Sequence, residues 1–225
     1  MKSYPVCLCL QGEPCLVVGG GGVGERKALD LLAAGARVTV VSPEFTPGLA
    51  ELAARGRLTC VPGPFAPEHL EGMALVIAAA GDPDANRAVA AAARQRRLPV
   101  NIVDAPELGT FIVPATVRRG HLTIAVSTGG ASPALARQVR RQLEDWFGPE
   151  YEPYLSLLAR LRELILSRRR HYPDNRALFT ALVDSPLREA LAQGDLPRVR
   201  AVIQDILGGI ISPAVLDDIF VNLNI

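Results

Sequence analysis

The sequence predicts an α/β fold: a parallel sheet with helices on both faces, then a small α+β segment, then a helical tail. Three observations predict it. Short apolar runs alternate with helical stretches from Cys15 to Val103. The first run empties directly into "GGGGVG", Gly19–Gly24, and a helix-like segment follows it. Beyond Asp104 the alternation gives way to two strand-like runs and then to Leu-rich helical sequence.

The elements follow in order. "CLVV", Cys15–Val18, has the composition of a buried strand. "ERKALDLLAAG" is helical, with Gly35 as its C-cap, and "ARVTVV" to Val41 is the second strand. Strand, glycine turn, helix and strand together fill about 30 residues, the length of one βαβ unit. A third strand spans Leu58–Val61, and "MALVIAAA" ends a fourth near Ala79. "DPDANRAVAAAARQRR" is an Ala-rich helix capped by Asp82 or Asp84, and Val100–Val103 is the next strand. "FIVPATVRRGHLTIAVST" then predicts an antiparallel hairpin turning at Arg118–His121. Helices are expected at Pro133–Phe147 and Glu150–Arg170, the second with an apolar stripe at Leu155, Leu158, Leu161 and Leu164 or Ile165. Short helices broken by Pro and Gly follow. These changes of pattern place boundaries near residues 113 and 148.

The totals bound the function. The chain has 225 residues, enough for a real core, and 21% charged residues with a net charge of +1. No overall field favours nucleic acid. Of 24 basic residues only Lys2 and Lys27 are lysines. Arginine suits planar bidentate partners such as carboxylates and phosphates, although high-GC coding has the same effect. The first ten residues do not make a secretory signal, and no run of 18 apolar residues spans a membrane. Cys7, Cys9, Cys15 and Cys60 lack zinc-site spacing. They read as free, mostly packing thiols of a reducing cytoplasm. His69, His121 and His171 stand far apart without ligand spacing, so no metal site is expected. The run from Ser167 to Pro173 reads as a solvated helix end.

Gly19, Gly21 and Gly24 fit G-x-G-x-x-G. The pattern gains meaning from its place between a strand and a helix, where glycines allow a tight turn, close approach to a diphosphate and helix–strand packing. The loop reads as a Rossmann-type dinucleotide turn, or as a flexible glycine turn with no ligand. The helix N-terminus adds free N–H groups and partial positive charge. The ribose-binding acid belongs at the end of the second strand, where Ser42 and Pro43 stand; Glu44 follows. No Arg or Lys between Thr39 and Ala54 could meet a 2′-phosphate, so the expected cofactor is NAD rather than NADP.

Asp104 follows the strand Val100–Val103 and so belongs to the sheet edge that carries the glycine loop. It reads either as a proton acceptor there or as a turn former before Ala105-Pro106. From Leu108 to Leu143 there are five arginines (Arg118, Arg119, Arg137, Arg140 and Arg141) and His121, with no acid. That segment suits a polycarboxylate or phosphorylated substrate, or is a solvated basic face. Within it, "STGGASPALAR", Ser127–Arg137, ends a strand and starts a helix at Ser132-Pro133. Its N–H groups either bind a carboxylate or simply begin a helix.

"CLVVGGGGVGERKALDLLAAGARVTVVSP", "NIVDAPELGTFIVPA" and "LTIAVSTGGASPALAR" together resemble the precorrin-2 dehydrogenase/sirohydrochlorin ferrochelatase family, the NAD-binding half of siroheme synthase, in its stand-alone form. The likeness covers about residues 1–150. It implies a Rossmann domain over 1–113, a dimerisation and substrate region over 114–148, and a helical domain over 149–225, assembled as a homodimer. It implies oxidation of precorrin-2 to sirohydrochlorin with NAD, and in some members insertion of ferrous iron. It places Gly22 and Val23 at the diphosphate, Pro43 and Glu44 at the adenosine end, and Asp104 as the catalytic aspartate. Arg118, Arg119, Ser127, Thr128, Gly129, Gly130, Ser132 and Arg137 become a cradle for substrate carboxylates. Neither nucleic acid nor membrane is an expected partner. The competing readings are another NAD-dependent oxidoreductase of a small acid and an NAD(H)-binding redox sensor.

Overall fold

A computed structural model describes residues 3–168 and 175–223. The chain forms two compact units, 1–113 and 114–225.

The first unit is built on a five-stranded, all-parallel sheet of order β3-β2-β1-β4-β5. Its strands are β1 (Pro14–Val18), β2 (Arg37–Ser42), β3 (Thr59–Pro62), β4 (Leu75–Ala78) and β5 (Val100–Ile102). Central β1 pairs with β2 on one side and β4 on the other, Val17 lying opposite both Val40 and Ile77. The chain order reverses direction between β1 and β4, which opens a crevice at their carboxyl ends. Alternate residues of β1 serve opposite faces. Cys15 and Val17 pack with Ala28 and Leu31 of α1 (Gly22–Ala33), whereas Leu16 and Val18 pack with Val89 and Ala93 of α3 (Pro83–Gln95). The side chains of Cys15, Leu16, Val17 and Val18 are all buried, as a strand covered on both faces requires.

Three local features differ from the sequence reading. Helix α1 starts at Gly22 and its C-cap is Ala34; Gly35 lies one residue beyond, in the left-handed region at φ +78. A helix, α2 (Pro47–Ala54), occupies a stretch for which no element was expected. Pro47 sets its first turn, and the Thr46 hydroxyl accepts from the Leu49 N–H at 3.3 Å. Of the four cysteines, all free, only Cys15 is buried. Cys7 and Cys9 are exposed in the segment before β1 and do not pack.

In the second unit, β6 (Ala115–Arg119) and β7 (Leu122–Val126) form an antiparallel hairpin. Gly120, at φ +53, makes its two-residue turn. Helix α4 (Pro133–Trp146) packs on this hairpin. Helices α5 (Tyr151–Arg168), α6 (Asn175–Asp184), α7 (Leu187–Ala192), α8 (Leu196–Leu207) and α9 (Pro213–Leu223) share a separate apolar core. The buried stripe of α5 is Tyr154, Leu157, Leu161 and Ile165. It is displaced from the predicted one because Tyr154 and Leu157 join the core, whereas Leu155, Leu158 and Leu164 are only partly buried. The predicted last turn of α5, from Arg169, and His171 fall outside the described residues. Among those residues no helix is long and apolar enough to cross a membrane.

Candidate functional site

A cleft of about 580 Å³ lies at the carboxyl edge of the sheet in the first unit. Its wall is made chiefly by chain leaving the ends of strands: Gly19–Gly21 after β1, Pro43–Thr46 after β2, Gly63–Phe65 after β3, and Ala79–Asp82 after β4. This is the crevice of the topological switch point, where open parallel sheets take ligands.

The glycines differ in what they permit. Gly19 sits at φ +117 against the β4 loop; a Cβ there would come within 2.6 Å of the Ala79 carbonyl carbon and 2.8 Å of the Ala80 nitrogen. A Cβ on Gly24 would strike the Gly19 carbonyl, so Gly24 lets α1 approach the loop. A Cβ on Gly21 or Gly22 would meet nothing within 4 Å. There the bare backbone faces open space. Gly21 is the N-cap of α1 and no side chain caps the helix. The first-turn N–H groups are therefore left for solvent or an anion. Gly21, Gly22 and Val23 are all exposed. This arrangement fits the diphosphate of a dinucleotide.

Ser42 is the last residue of β2 and is buried, while Pro43 and Glu44 are exposed beside it at the rim. Among the described residues the cleft is lined by no Lys or Arg, and Glu44 and Asp82 are the two acids that line it. A 2′-phosphate would find no cation there; a 2′-hydroxyl would find acceptors. Phe45 and Phe65 supply apolar wall. Phe65 leans on His69, ring centroids 6.2 Å apart, and His69 Nδ1 accepts from the Ala66 N–H at 3.0 Å.

Two titrations are set by the core beneath. Burial, reinforced by Glu13, pushes the Cys15 thiol up to about 11. Burial lowers the Lys27 ammonium on α1, with Asp30 opposing that shift and Arg26 adding to it.

Asp104 leaves the same carboxyl edge two residues after β5, and it does not line the cleft. It is exposed, and among the described residues its carboxylate has no hydrogen-bond or ion-pair partner. The chain around it is tightly made. The Val103 N–H donates to the Ala78 carbonyl at 3.0 Å, and a short 3-10 turn spans Pro106–Leu108. Arg94 of α3 then donates to the carbonyls of Leu108, Glu107 and Gly109 at 3.2, 3.4 and 3.4 Å. Thr110 returns to β5, its N–H on the Val100 carbonyl at 2.7 Å, and buried Asn101 donates to the Phe111 carbonyl at 3.0 Å.

The remaining predicted residues belong to the second unit. Ser127, Thr128, Gly129, Gly130 and Ser132 form a compact turn into α4. Gly129 and Gly130 are in the left-handed region at φ +62 and +87. Ser127 Oγ accepts from the Gly129 N–H at 3.2 Å, Thr128 Oγ1 from Ser132 at 3.1 Å, and Ser132 Oγ from Leu135 at 3.2 Å. Each hydroxyl is already an acceptor here and keeps its own hydrogen to donate. Arg119 is occupied differently. Nε donates to the Phe147 carbonyl at 2.9 Å, Nη1 to Arg118 at 2.9 Å and Nη2 to Glu144 at 3.4 Å, so most of its fork closes the end of α4. Arg140 pairs with Glu144. Arg118, Arg137 and Arg141 are exposed and have no acidic partner among the described residues. Among those residues no three His, Cys, Asp or Glu side chains gather as a metal site.

Sequence reasoning missed Gly20, Thr46 and Asn86. A Cβ on Gly20 would strike the Glu44 carbonyl and come within 2.9 Å of Ser42 Cβ. The β2 loop thus lies directly on it. Asn86 is buried in α3 and bonds Ala80 of the cleft wall twice. A polar residue on the apolar face of α3, three and four positions before Val89 and Ala90, was the signal for it.

Comparison with known proteins bears on both units. A family model described as putative NAD(P)-binding matches residues 6–115, and one described as sirohaem biosynthesis protein, central, matches 119–145. The siroheme synthase of Methylobacillus flagellatus is 41% identical over 209 residues, covering 93% of this chain and 45% of that protein. The siroheme synthase of Chromobacterium violaceum is 41% identical over 207 residues, covering 91% and 43% respectively. The chain thus spans less than half the length of these relatives. The solved structure of SirC, a precorrin-2 dehydrogenase, is 30% identical with a TM-score of 0.75, over 91% of this chain and 98% of that one.

Proposed function

The chain belongs to the precorrin-2 dehydrogenase family, and on that premise we propose that it oxidises precorrin-2 to sirohydrochlorin with NAD. The observation that carries the cofactor half is the crevice itself: an uncapped helix N-terminus behind exposed Gly21 and Gly22, in a cleft lined by no Lys or Arg. NAD supplies the hydride acceptor. Gly19, Gly21, Gly22, Val23 and Gly24 hold its diphosphate through backbone N–H groups and close packing; Ser42, Pro43 and Glu44 meet the adenosine ribose.

Asp104 takes the proton released from the substrate as hydride departs. Its exposed, unpartnered carboxylate on a braced turn supports this role. Arg118 and Arg137, with the hydroxyl groups of Ser127, Thr128 and Ser132 on the turn shaped by Gly129 and Gly130, receive the carboxylates of the tetrapyrrole. Arg119 contributes chiefly by fixing the end of α4. The division of labour is 1–113 for NAD, 114–148 for substrate and dimerisation, and 149–225 as a helical domain. A homodimer, a cytoplasmic location and ferrous iron as a further substrate belong to the same reading.

An anaerobic assay with enzymatically made precorrin-2 and NAD tests it. NAD-dependent growth of the sirohydrochlorin spectrum is expected. No change, with NADH binding intact, overturns the substrate assignment. Enzyme-accelerated conversion to siroheme on adding Fe²⁺ is the outcome expected of a chelating protein; an unaccelerated rate removes that second activity.

A further inference from the structure

Asn86 lies in the first turns of α3, a helix whose neighbouring core positions are Val89, Ala90 and Ala93. It is 5% exposed, a side-chain amide in apolar surroundings. Its Nδ2 donates to the Ala80 carbonyl at 2.9 Å, and its Oδ1 accepts from the Ala80 N–H at 3.2 Å. One side chain thus satisfies both backbone polar groups of one residue, as a neighbouring strand would.

Ala80 is past the end of β4, where the sheet no longer holds the chain. It lines the cleft together with Ala79, Gly81 and Asp82. The same wall presses on the glycine loop, because Gly19 has no room for a Cβ against Ala79 and Ala80. Asn86 takes the one Ala80 N–H and bonds the Ala80 carbonyl, so the residue has no donor left for a ligand and contributes chiefly shape.

We propose that Asn86 is a positioning residue for the dinucleotide: it holds the Ala79–Asp82 wall at contact distance from Gly19, so that the diphosphate site is formed before the cofactor arrives. The proposal rests on the reading of the cleft as the NAD site. Without the amide, the wall loses its two bonds and binding must pay for ordering it.

The test is a fluorescence titration with NADH, at a temperature where circular dichroism shows each variant folded. Asn86→Ala removes both bonds. Asn86→Asp keeps the shape and the acceptor but sets a carboxylate against the Ala80 carbonyl. Each is expected to raise the Kd for NADH about tenfold or more. Asn101→Ala is the control: Asn101 is buried to the same degree, at 6% exposure, and donates to Phe111 away from the cleft. It is expected to lower the Tm while leaving the NADH Kd within about twofold. In steady state the KM for NAD rises in the Asn86 variants by the same factor, and kcat at saturating NAD stays within about twofold. Should Asn86→Ala fail to fold, Asn86→Ser, which can serve one of the two groups, carries the measurement. Asn86 variants that bind NADH like the wild type overturn the proposal, and so does an Asn101→Ala loss as large as theirs. A wild-type protein that does not bind NADH overturns the reading of the cleft instead.

Discussion

The Thr46 N–H donates to the Gly20 carbonyl at 3.0 Å, and this bond joins the loop after β1 to the loop after β2. Thr46 is also the N-cap of α2, so one residue ends the β2 loop, starts a helix and anchors the glycine loop. The contact is close because Gly20 has no side chain; the Glu44 carbonyl lies where its Cβ would be.

Gly20→Ala is therefore expected to force the two loops apart. The backbone it meets cannot rotate away as a flexible side chain would. NADH affinity should fall by about tenfold or more, with a stability loss of about 1–3 kcal/mol, typical of overpacking. Fluorescence titration and thermal denaturation on the same sample measure both. Unchanged affinity would mean that the ribose-side loop can move without consequence.

Much of this geometry was legible in the sequence because it follows from local chemistry. Gly19, Gly21 and Gly24 stand at motif spacing, and strand-to-helix alternation predicts the parallel sheet. Asp82 before Pro83 announces a helix start, and its carboxylate does accept from the Asp84 N–H at 2.9 Å. What was not legible depends on contacts between loops. Gly20 is the unspecified position of the motif, and only the β2 loop lying on it makes glycine necessary. Helix α2 was hidden by the Pro47-Gly48 start, which resembles a break, and by its eight-residue length. Arg119 looks like its neighbour Arg118 in sequence; only the return of α4 past the hairpin shows that its guanidinium is engaged.

The absence of a basic residue around the cleft predicts discrimination at the ribose. A 2′-phosphate brought near Glu44 and Asp82 meets negative charge and no compensating cation. The wild-type protein should prefer NAD over NADP by about a hundredfold in kcat/KM. Glu44→Arg should narrow that gap by roughly tenfold or more, chiefly by improving NADP rather than by harming NAD. Parallel kinetics with both cofactors decide the matter, and a wild-type protein indifferent between them would show that Glu44 does not face the ribose.

Asp104→Asn preserves the size of the side chain and removes the proton acceptor. A general base contributes about 10²–10⁴-fold, so the dehydrogenase rate should drop by that range. NADH affinity should be unchanged, because Asp104 does not line the cleft. A rate within threefold of wild type would reduce Asp104 to a turn former ahead of Pro106.

Arg97 is the one described residue other than glycine with positive φ, at +55, just after the C-cap of α3. Its N–H donates to the Arg94 carbonyl at 3.0 Å, a bond that closes the helix end. Left-handed backbone is unfavourable for a residue with a Cβ and free for glycine. Arg97→Gly should therefore stabilise the protein by about 0.5–1 kcal/mol and raise Tm by a few degrees. A calorimetric scan that shows destabilisation instead would mean that the Arg97 side chain has a packing role greater than its backbone strain.

Cys15, the second residue of β1, is fully buried, and its thiol is pushed up to about 11 by burial, with Glu13 adding to the effect. Cys7 and Cys9 are exposed on the segment just before it. A thiol reagent at pH 8 should therefore react quickly with Cys7 and Cys9, and with Cys15 only after unfolding. The same shift has a pH signature. In the unfolded chain the thiol ionises near its ordinary value of 9.0, whereas in the folded protein it stays protonated until about 11. Between those values the folded state binds more protons than the unfolded state, so this group makes stability fall as pH rises. Below pH 9 it contributes no slope. Cys15→Ser keeps a small polar side chain that does not ionise in this range, and it should flatten the loss of Tm between pH 9 and 11 relative to wild type, even if its Tm at pH 8 is lower. Parallel melting curves across that window check the sign. An equally steep decline in Cys15→Ser would assign the alkaline instability to other groups.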